Sequence, residues 1–152
     1  MGKVIAVCIS EKRGTQKKNI QKARFIPHYG IENDAHAGNW HRQVSLLSYD
    51  KILAFNAKGA AVTDGAFGEN LVVQGIDFSG LPVGTLLTCG EVELKMTQIG
   101  KECHQHCQIY EKMGECIMPT QGVFAVVEQG GWIQEGDTME VHLPQSEQPL
   151  TK

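Results

Sequence analysis

Val92-Glu93-Leu94-Lys95-Met96-Thr97 alternates strictly between apolar and polar side chains. A residue-by-residue alternation puts all apolar groups on one face of an extended chain, so this stretch reads as a half-buried β-strand. Thr138-Met139-Glu140-Val141-His142-Leu143 shows the same pattern. Working outward, Lys3–Ile9, Gln43–Leu47, Asn70–Val73, Thr85–Cys89 and Gly122–Val127 are further strand candidates. Turn-forming residues punctuate them at Gly80-Leu81-Pro82-Val83-Gly84, Cys89-Gly90-Glu91, Gly130-Gly131 and Glu135-Gly136-Asp137. Many short strands separated by such turns predict a mainly β protein of barrel or sandwich type.

Two segments read as helices. Ser48 is placed to cap Tyr49–Ala57, which ends before Gly59, with Ile52, Leu53 and Phe55 or Asn56 as a partial apolar stripe. The second runs roughly from His104 to Lys112 and closes before Gly114. Pro27–His41 shows no period and reads as a long functional loop. The expected organisation is one domain over residues 1–143, with a frayed tail over 144–152 that is polar and carries two prolines.

The 152 residues are 41% apolar and 20% charged, a globular composition. A formal charge of −3 with no dense basic stripe argues against nucleic acid as a main partner, because phosphate neutralisation dominates such binding. No apolar run is long enough for a signal peptide or a membrane span. Five cysteines, an odd number, predict a reducing cytoplasm rather than a disulfide framework. Cys8 and Cys89 lie in apolar strand-like stretches and read as buried packing residues. P-loop, GxGxxG, GxSxG and HExxH motifs are all missing, so nucleotide folds and serine hydrolases have no support.

Three constellations carry chemistry. The densest is Gly100-Lys101-Glu102-Cys103-His104-Gln105-His106-Cys107, followed by Cys116. If a helix begins near His104, Cys103 stands at its N-terminus, where the dipole and free N–H groups favour a thiolate, aided by Lys101 and the histidines. Such a cysteine is a nucleophile, a persulfide carrier or a soft-metal ligand. Cys103, His106 and Cys107 also share one helical face; with Cys116 they are an alternative zinc or copper site. The second constellation holds Asp34, His36, His41, Arg42 and Ser45. In extended chain Asp34 and His36 point the same way. They can orient an acid/base histidine or bind a polar ligand, or they can simply satisfy the loop backbone. Arg42 is suited to a phosphate or carboxylate. The third is Gly65-Ala66-Phe67-Gly68-Glu69-Asn70-Leu71: either a close approach to a ligand, or a turn whose Glu69 and Asn70 satisfy neighbouring backbone groups.

Taken together these stretches resemble the MOSC family, named for the C-terminal domain of molybdenum-cofactor sulfurase. The resemblance is carried by Gly30–His36, Arg42–Leu47, Gly65–Leu71, Leu81–Gly84 and Thr97–Cys103, with Gly130-Gly131 and Gly136-Asp137 resembling the closing strands. It implies a strand-rich, barrel-like fold with a few short helices. It also implies that Cys103 is the reactive cysteine, ligating molybdenum in a bound pterin cofactor or carrying sulfur as a persulfide. Asp34, His36, Arg42, Ser45, Glu69, Asn70 and Lys101 would line the pocket of the molybdenum cofactor (molybdopterin), held permanently or in passing. The implied partners are molybdenum enzymes or cofactor-biosynthesis proteins, with a cysteine desulfurase as sulfur donor. The implied activity is sulfur transfer or a part in a molybdenum-dependent reductase; the alternative is a non-catalytic module that delivers cofactor or metal. Pyridoxal phosphate is not expected in this chain. Glu102 replaces the proline that commonly precedes the family cysteine, and its carboxylate opposes the neighbouring cations in setting the thiol.

Overall fold

The computed structural model describes residues 1–12, 16–59, 62–63, 65–100 and 122–144. Its main body is a closed barrel. Strands β1 (Gly2–Ile9), β5 (Val44–Ser48), β6 (Leu71–Gln74), β7 (Leu86–Cys89), β8 (Val92–Ile99), β9 (Val123–Gln129) and β11 (Thr138–His142) pair in the order β11-β7-β8-β9-β5-β6-β1. The ring closes where Gly2 and Lys3 of β1 pair with Met139 and Thr138 of β11. The short β2 (Lys18–Asn19) extends β1 at Cys8 and Ile9. A second sheet of three strands, β10 (Gly131–Gln134), β3 (Lys22–Ile26) and β4 (Gly30–Ile31), adds Ala23, Phe25, Ile31 and Ile133 to the same core.

The alternation in β8 does what it predicts. Val92, Leu94 and Met96 are buried in the barrel interior, whereas Lys95 is exposed. The parity of β1 is broken by a bulge between Val4 and Ala6 in its pairing with β6. One extra residue at that point lets Val4 and Val7 both face the interior, while Ala6 and Cys8 face outward. That outward face is covered. Helix α1 (Tyr49–Ala57) joins the parallel neighbours β5 and β6, a crossover that a parallel pair requires. Its Ile52 packs with Ala6, Cys8, Leu47, Val72 and Phe124 in a second core, and Phe55 packs with Val62, Ala66 and Phe67 beside it. Burial on both faces explains why β5 and most of β6 are continuously buried rather than alternating.

Several expectations change. Ser48 is the N-cap residue of α1, but its side chain makes no capping hydrogen bond. It also ends a strand paired with Val73 and is buried. Leu53, assigned to the apolar stripe, is exposed. Pro27–His41 is not wholly loop, because Gly30 and Ile31 pair with Ile26 and Phe25. Gly131, read as part of a turn, opens β10 and pairs with Phe25. The second helix, and the tail beyond Pro144, lie outside the described residues. No described helix is long and apolar enough to cross a membrane.

Candidate functional site

Asp34 and His36, two of the polar groups singled out along the sequence, come together around a residue that no motif marks. Lys17 lies just before β2 and is buried. Its Nζ is 2.7 Å from Asp34 Oδ1, 2.9 Å from His36 Nδ1 and 3.3 Å from Ser10 Oγ. The Lys17 and Asp34 side chains are both 0% exposed, so this is a fully buried ion pair. Asp34 Oδ1 also accepts the Ser10 N–H at 3.1 Å, and Oδ2 accepts the His36 N–H at 3.3 Å. Asp34 and His36 are therefore brought together, but not as an extended-chain pair. They sit in turns, with Asn33 at φ 70°, and Lys17 bridges their side chains. A buried lysine is rare unless paired. Nothing in the local sequence around Lys17 distinguishes it from Lys18, which is exposed.

The glycine-rich loop clamps this cluster from behind. Lys17 N–H donates to Gly65 O at 2.9 Å. The approach is so close that a Cβ on Gly65 would lie 2.0 Å from Lys17 O, and Gly65 has φ +86°. Only glycine meets both conditions. Glu69 is 0% exposed, and its carboxylate accepts the N–H groups of Gly65 at 2.9 Å and Phe67 at 3.0 Å. Asn70, equally buried, bridges three segments. Its Oδ1 accepts the Ser45 N–H at 2.9 Å, and its Nδ2 donates to Cys8 O at 2.9 Å. Ser45 Oγ donates to Gly68 O at 3.1 Å. These contacts make Glu69, Asn70 and Ser45 the groups that set the shape of the loop and tie it to β1 and β5.

From His36 the contacts run on to Arg42. Trp40 Nε1 donates to His36 O at 2.7 Å, and the two rings stack at 6.5 Å between centroids. The Arg42 guanidinium lies 4.8 Å from the Trp40 ring centre and 5.5 Å from that of Phe124. Cation–π contact of this kind offsets part of the cost of desolvating a guanidinium, by roughly 0.5–2 kcal/mol. It does not satisfy the Nε–H: Arg42 Nε is buried and has no hydrogen-bond partner among the described residues. Among the described residues no carboxylate pairs with Arg42. A half-buried cation with an unmet donor is the local requirement for an anionic ligand.

Phe124 connects this cation to the strand that leads to the cysteine motif. It pairs with Gln98 of β8, next to an irregularity in the ladder between Met96 and Gln98. Gln98 Oε1 lies 2.8 Å from His41 Nε2, Gln98 Nε2 donates to Gly100 O at 2.9 Å, and Thr97 Oγ1 is hydrogen-bonded to His41 O. Gly100 N–H donates to Gly122 O at 2.6 Å, which pins the two ends of the intervening segment together. Lys101, Cys103, His106, Cys107 and Cys116 belong to that segment and lie outside the described residues. Among the described residues no group of three or more His, Cys, Asp or Glu side chains is arranged to hold a metal ion.

Cys8 and Cys89 are buried, as their strand context predicts. Burial pushes the Cys89 thiol up to about 12, with the negative charge of Asp137 adding to it. Such a thiol stays protonated at neutral pH and is no nucleophile.

Comparison with known proteins supplies the remaining context. A family model described as "MOSC domain" matches residues 33–140. The fold is similar to the crystal structure of the YuaD protein from Bacillus subtilis, with a TM-score of 0.78 and 21% identity over 95% of this chain and 98% of that one. It is also similar to YiiM from Geobacillus stearothermophilus (TM-score 0.69, 15% identity, 93% of this chain and 75% of that one). YiiM from Escherichia coli is similar too (TM-score 0.62, 16% identity, 91% and 69%). At these identities the likeness concerns the fold. No curated protein matches the sequence.

Proposed function

This chain belongs to the MOSC domain family, and from that membership and the geometry above we propose that it binds the molybdenum–pterin cofactor, with Cys103 as its working sulfur. The observation that carries the proposal is Arg42, whose buried Nε lacks a partner among the described residues while its guanidinium rests on Trp40 and Phe124. An anionic group that accepts this donor would remove an unmet hydrogen bond and neutralise a half-buried cation. The phosphate of the pterin fits that demand. The cofactor, when bound, supplies the metal's redox and oxygen-atom chemistry.

Within this chain, Arg42 holds the phosphate and Trp40 fixes the guanidinium plane. Glu69, Asn70 and Ser45 keep the loop and the start of β5 in register. Cys103 follows Gly100 by three residues in the sequence, and Gly100 is tied through Gln98 to His41, the residue before Arg42. A soft thiolate suits a soft metal, and Lys101 adds positive charge two residues away. The same thiolate can accept sulfur. It attacks the terminal sulfur of a donor persulfide, a new Cys103 S–S bond forms as the donor's S–S bond breaks, and the donor leaves as a thiolate. The proton remains on the transferred sulfur. A cysteine desulfurase is the class of donor that presents such a persulfide.

The test is the molybdenum and pterin content of protein purified from a host that makes the cofactor, for wild type, Arg42→Met and Cys103→Ala. Intact-mass spectra are taken before and after exposure to a cysteine desulfurase with cysteine. Wild type should carry cofactor, and both variants should lose most of it. A reducible gain of one sulfur in wild type but not in Cys103→Ala would establish the carrier role. A wild-type protein with neither cofactor nor added sulfur, or a Cys103→Ala protein matching wild type in both, refutes the proposal.

A further inference from the structure

We propose that Lys17 holds His36 in the neutral tautomer that carries its proton on Nε2, so that His36 meets a ligand as a hydrogen-bond donor and not as a general base. Lys17 is then a positioning residue that acts through His36. The argument is an inventory of hydrogens. A lysine ammonium has three N–H donors and no acceptor. Lys17 Nζ has three neighbours within hydrogen-bond distance: Asp34 Oδ1, Ser10 Oγ and His36 Nδ1. A carboxylate at 2.7 Å, with both side chains fully out of water, keeps the amine in its charged form.

Each neighbour must then accept. Asp34 Oδ1 already accepts the Ser10 N–H, as a carboxylate oxygen does. The Ser10 hydroxyl hydrogen is directed to Lys12 O at 3.1 Å, which leaves the Ser10 oxygen facing Lys17 with a lone pair. The third N–H needs the lone pair of His36 Nδ1, so that nitrogen cannot carry a hydrogen. A neutral imidazole without a hydrogen on Nδ1 has it on Nε2. Protonating both nitrogens would set an N–H against an ammonium 2.9 Å away. The described charged groups at His36 are Lys17 at the ring and Asp34 at the backbone N–H, and the uncharged Trp40 ring stacks beside it.

The consequence concerns the kind of group His36 can serve. Whatever lies opposite Nε2 meets a donor: a phosphate, oxo or carbonyl oxygen, or a sulfur lone pair. With its hydrogen in place Nε2 neither abstracts a proton nor ligates a metal. That the partner is a cofactor group rests on the preceding proposal, whereas the tautomer does not.

The experiment is nitrogen NMR of histidine-labelled full-length protein at neutral pH, with His36→Gln used to assign the signals. Wild type should show a pyridine-type Nδ1 and a pyrrole-type Nε2 for His36 as a single species. A pyrrole-type Nδ1, two protonated nitrogens, or averaging between tautomers overturns the proposal. Lys17→Met combined with Asp34→Asn removes both charges together, which avoids leaving one of them buried alone. In that protein His36 should interconvert between tautomers. An unchanged Nε2–H signature there would show that Lys17 does not set it. Failure of cofactor loading or sulfur transfer leaves these spectra untouched, so the two proposals fail separately.

Discussion

Replacing Asp34 by Asn is the most informative perturbation of this protein. The change keeps size and one carbonyl oxygen, so Ser10 N–H and Lys17 Nζ retain an acceptor, but it removes the only charge described as paired with a fully buried ammonium. Removing one partner of a buried pair costs about 3–5 kcal/mol, because the survivor stays uncompensated out of water. A domain of this size is stable by about 5–15 kcal/mol, so the loss is a large fraction of the total. For a chain of this length it corresponds to a fall in Tm of roughly 6–20 °C. Urea unfolding followed by circular dichroism should show a lower midpoint with an unchanged slope. Added salt should alter the difference little, since buried pairs are weakly screened. Lys17→Met with Asp34→Asn should be less destabilising than the two single losses summed, because the pair is coupled. A loss below about 1 kcal/mol for Asp34→Asn, the range of exposed pairs, would refute the buried-pair argument.

Gly65→Ala should cost more than about 2 kcal/mol, since the left-handed backbone alone costs roughly 1–2 kcal/mol and a Cβ 2.0 Å from Lys17 O forces a backbone shift. A melting temperature within two or three degrees of wild type, on the scale of about 2–4 °C per kcal/mol, would contradict it. Arg42→Met should leave stability within about 1 kcal/mol of wild type, because the cation–π energy lost is offset by removal of an unmet buried donor, while cofactor content falls; equal loss of both would make Arg42 a structural residue. Cys89 gives a pH dependence. Its folded thiol, at about 12, lies above the ordinary 9.0, so the unfolded chain loses this proton first as pH rises. Stability is therefore undiminished by this group below about pH 9 and falls by about 1.4 kcal/mol per unit from there towards pH 12. Cys89→Ala should remove that increment from the alkaline unfolding curve, and a curve unchanged by the substitution would count against it.

The amino-acid sequence by itself determined the class of fold and most of its barrel strands. Alternation in Val92–Thr97 and Thr138–His142, and apolar runs bounded by Gly and Pro, are local signals, and Tyr49–Ala57 is helical over the residues expected. Order and spacing of the three motifs were likewise legible, which is why the family emerges from the chain alone. The tertiary structure decided what those patterns cannot encode. Strands β3 and β10 are short, and they lie about a hundred residues apart in sequence, so their pairing follows from tertiary packing rather than from local propensity. The bulge in β1 reverses which residues face the core and shows only in the ladder. Lys17 is the clearest case. A lysine is an exposed residue by default, and what makes this one a buried ion-pair partner is Asp34, seventeen positions later, together with a glycine that lets another backbone come within hydrogen-bond reach. Asp34 and His36 were recognisable as polar residues in a loop, but their geometry was not, because the group that joins them comes from elsewhere in the chain. Burial and charge compensation are properties of the assembled environment, and only the folded chain sets them.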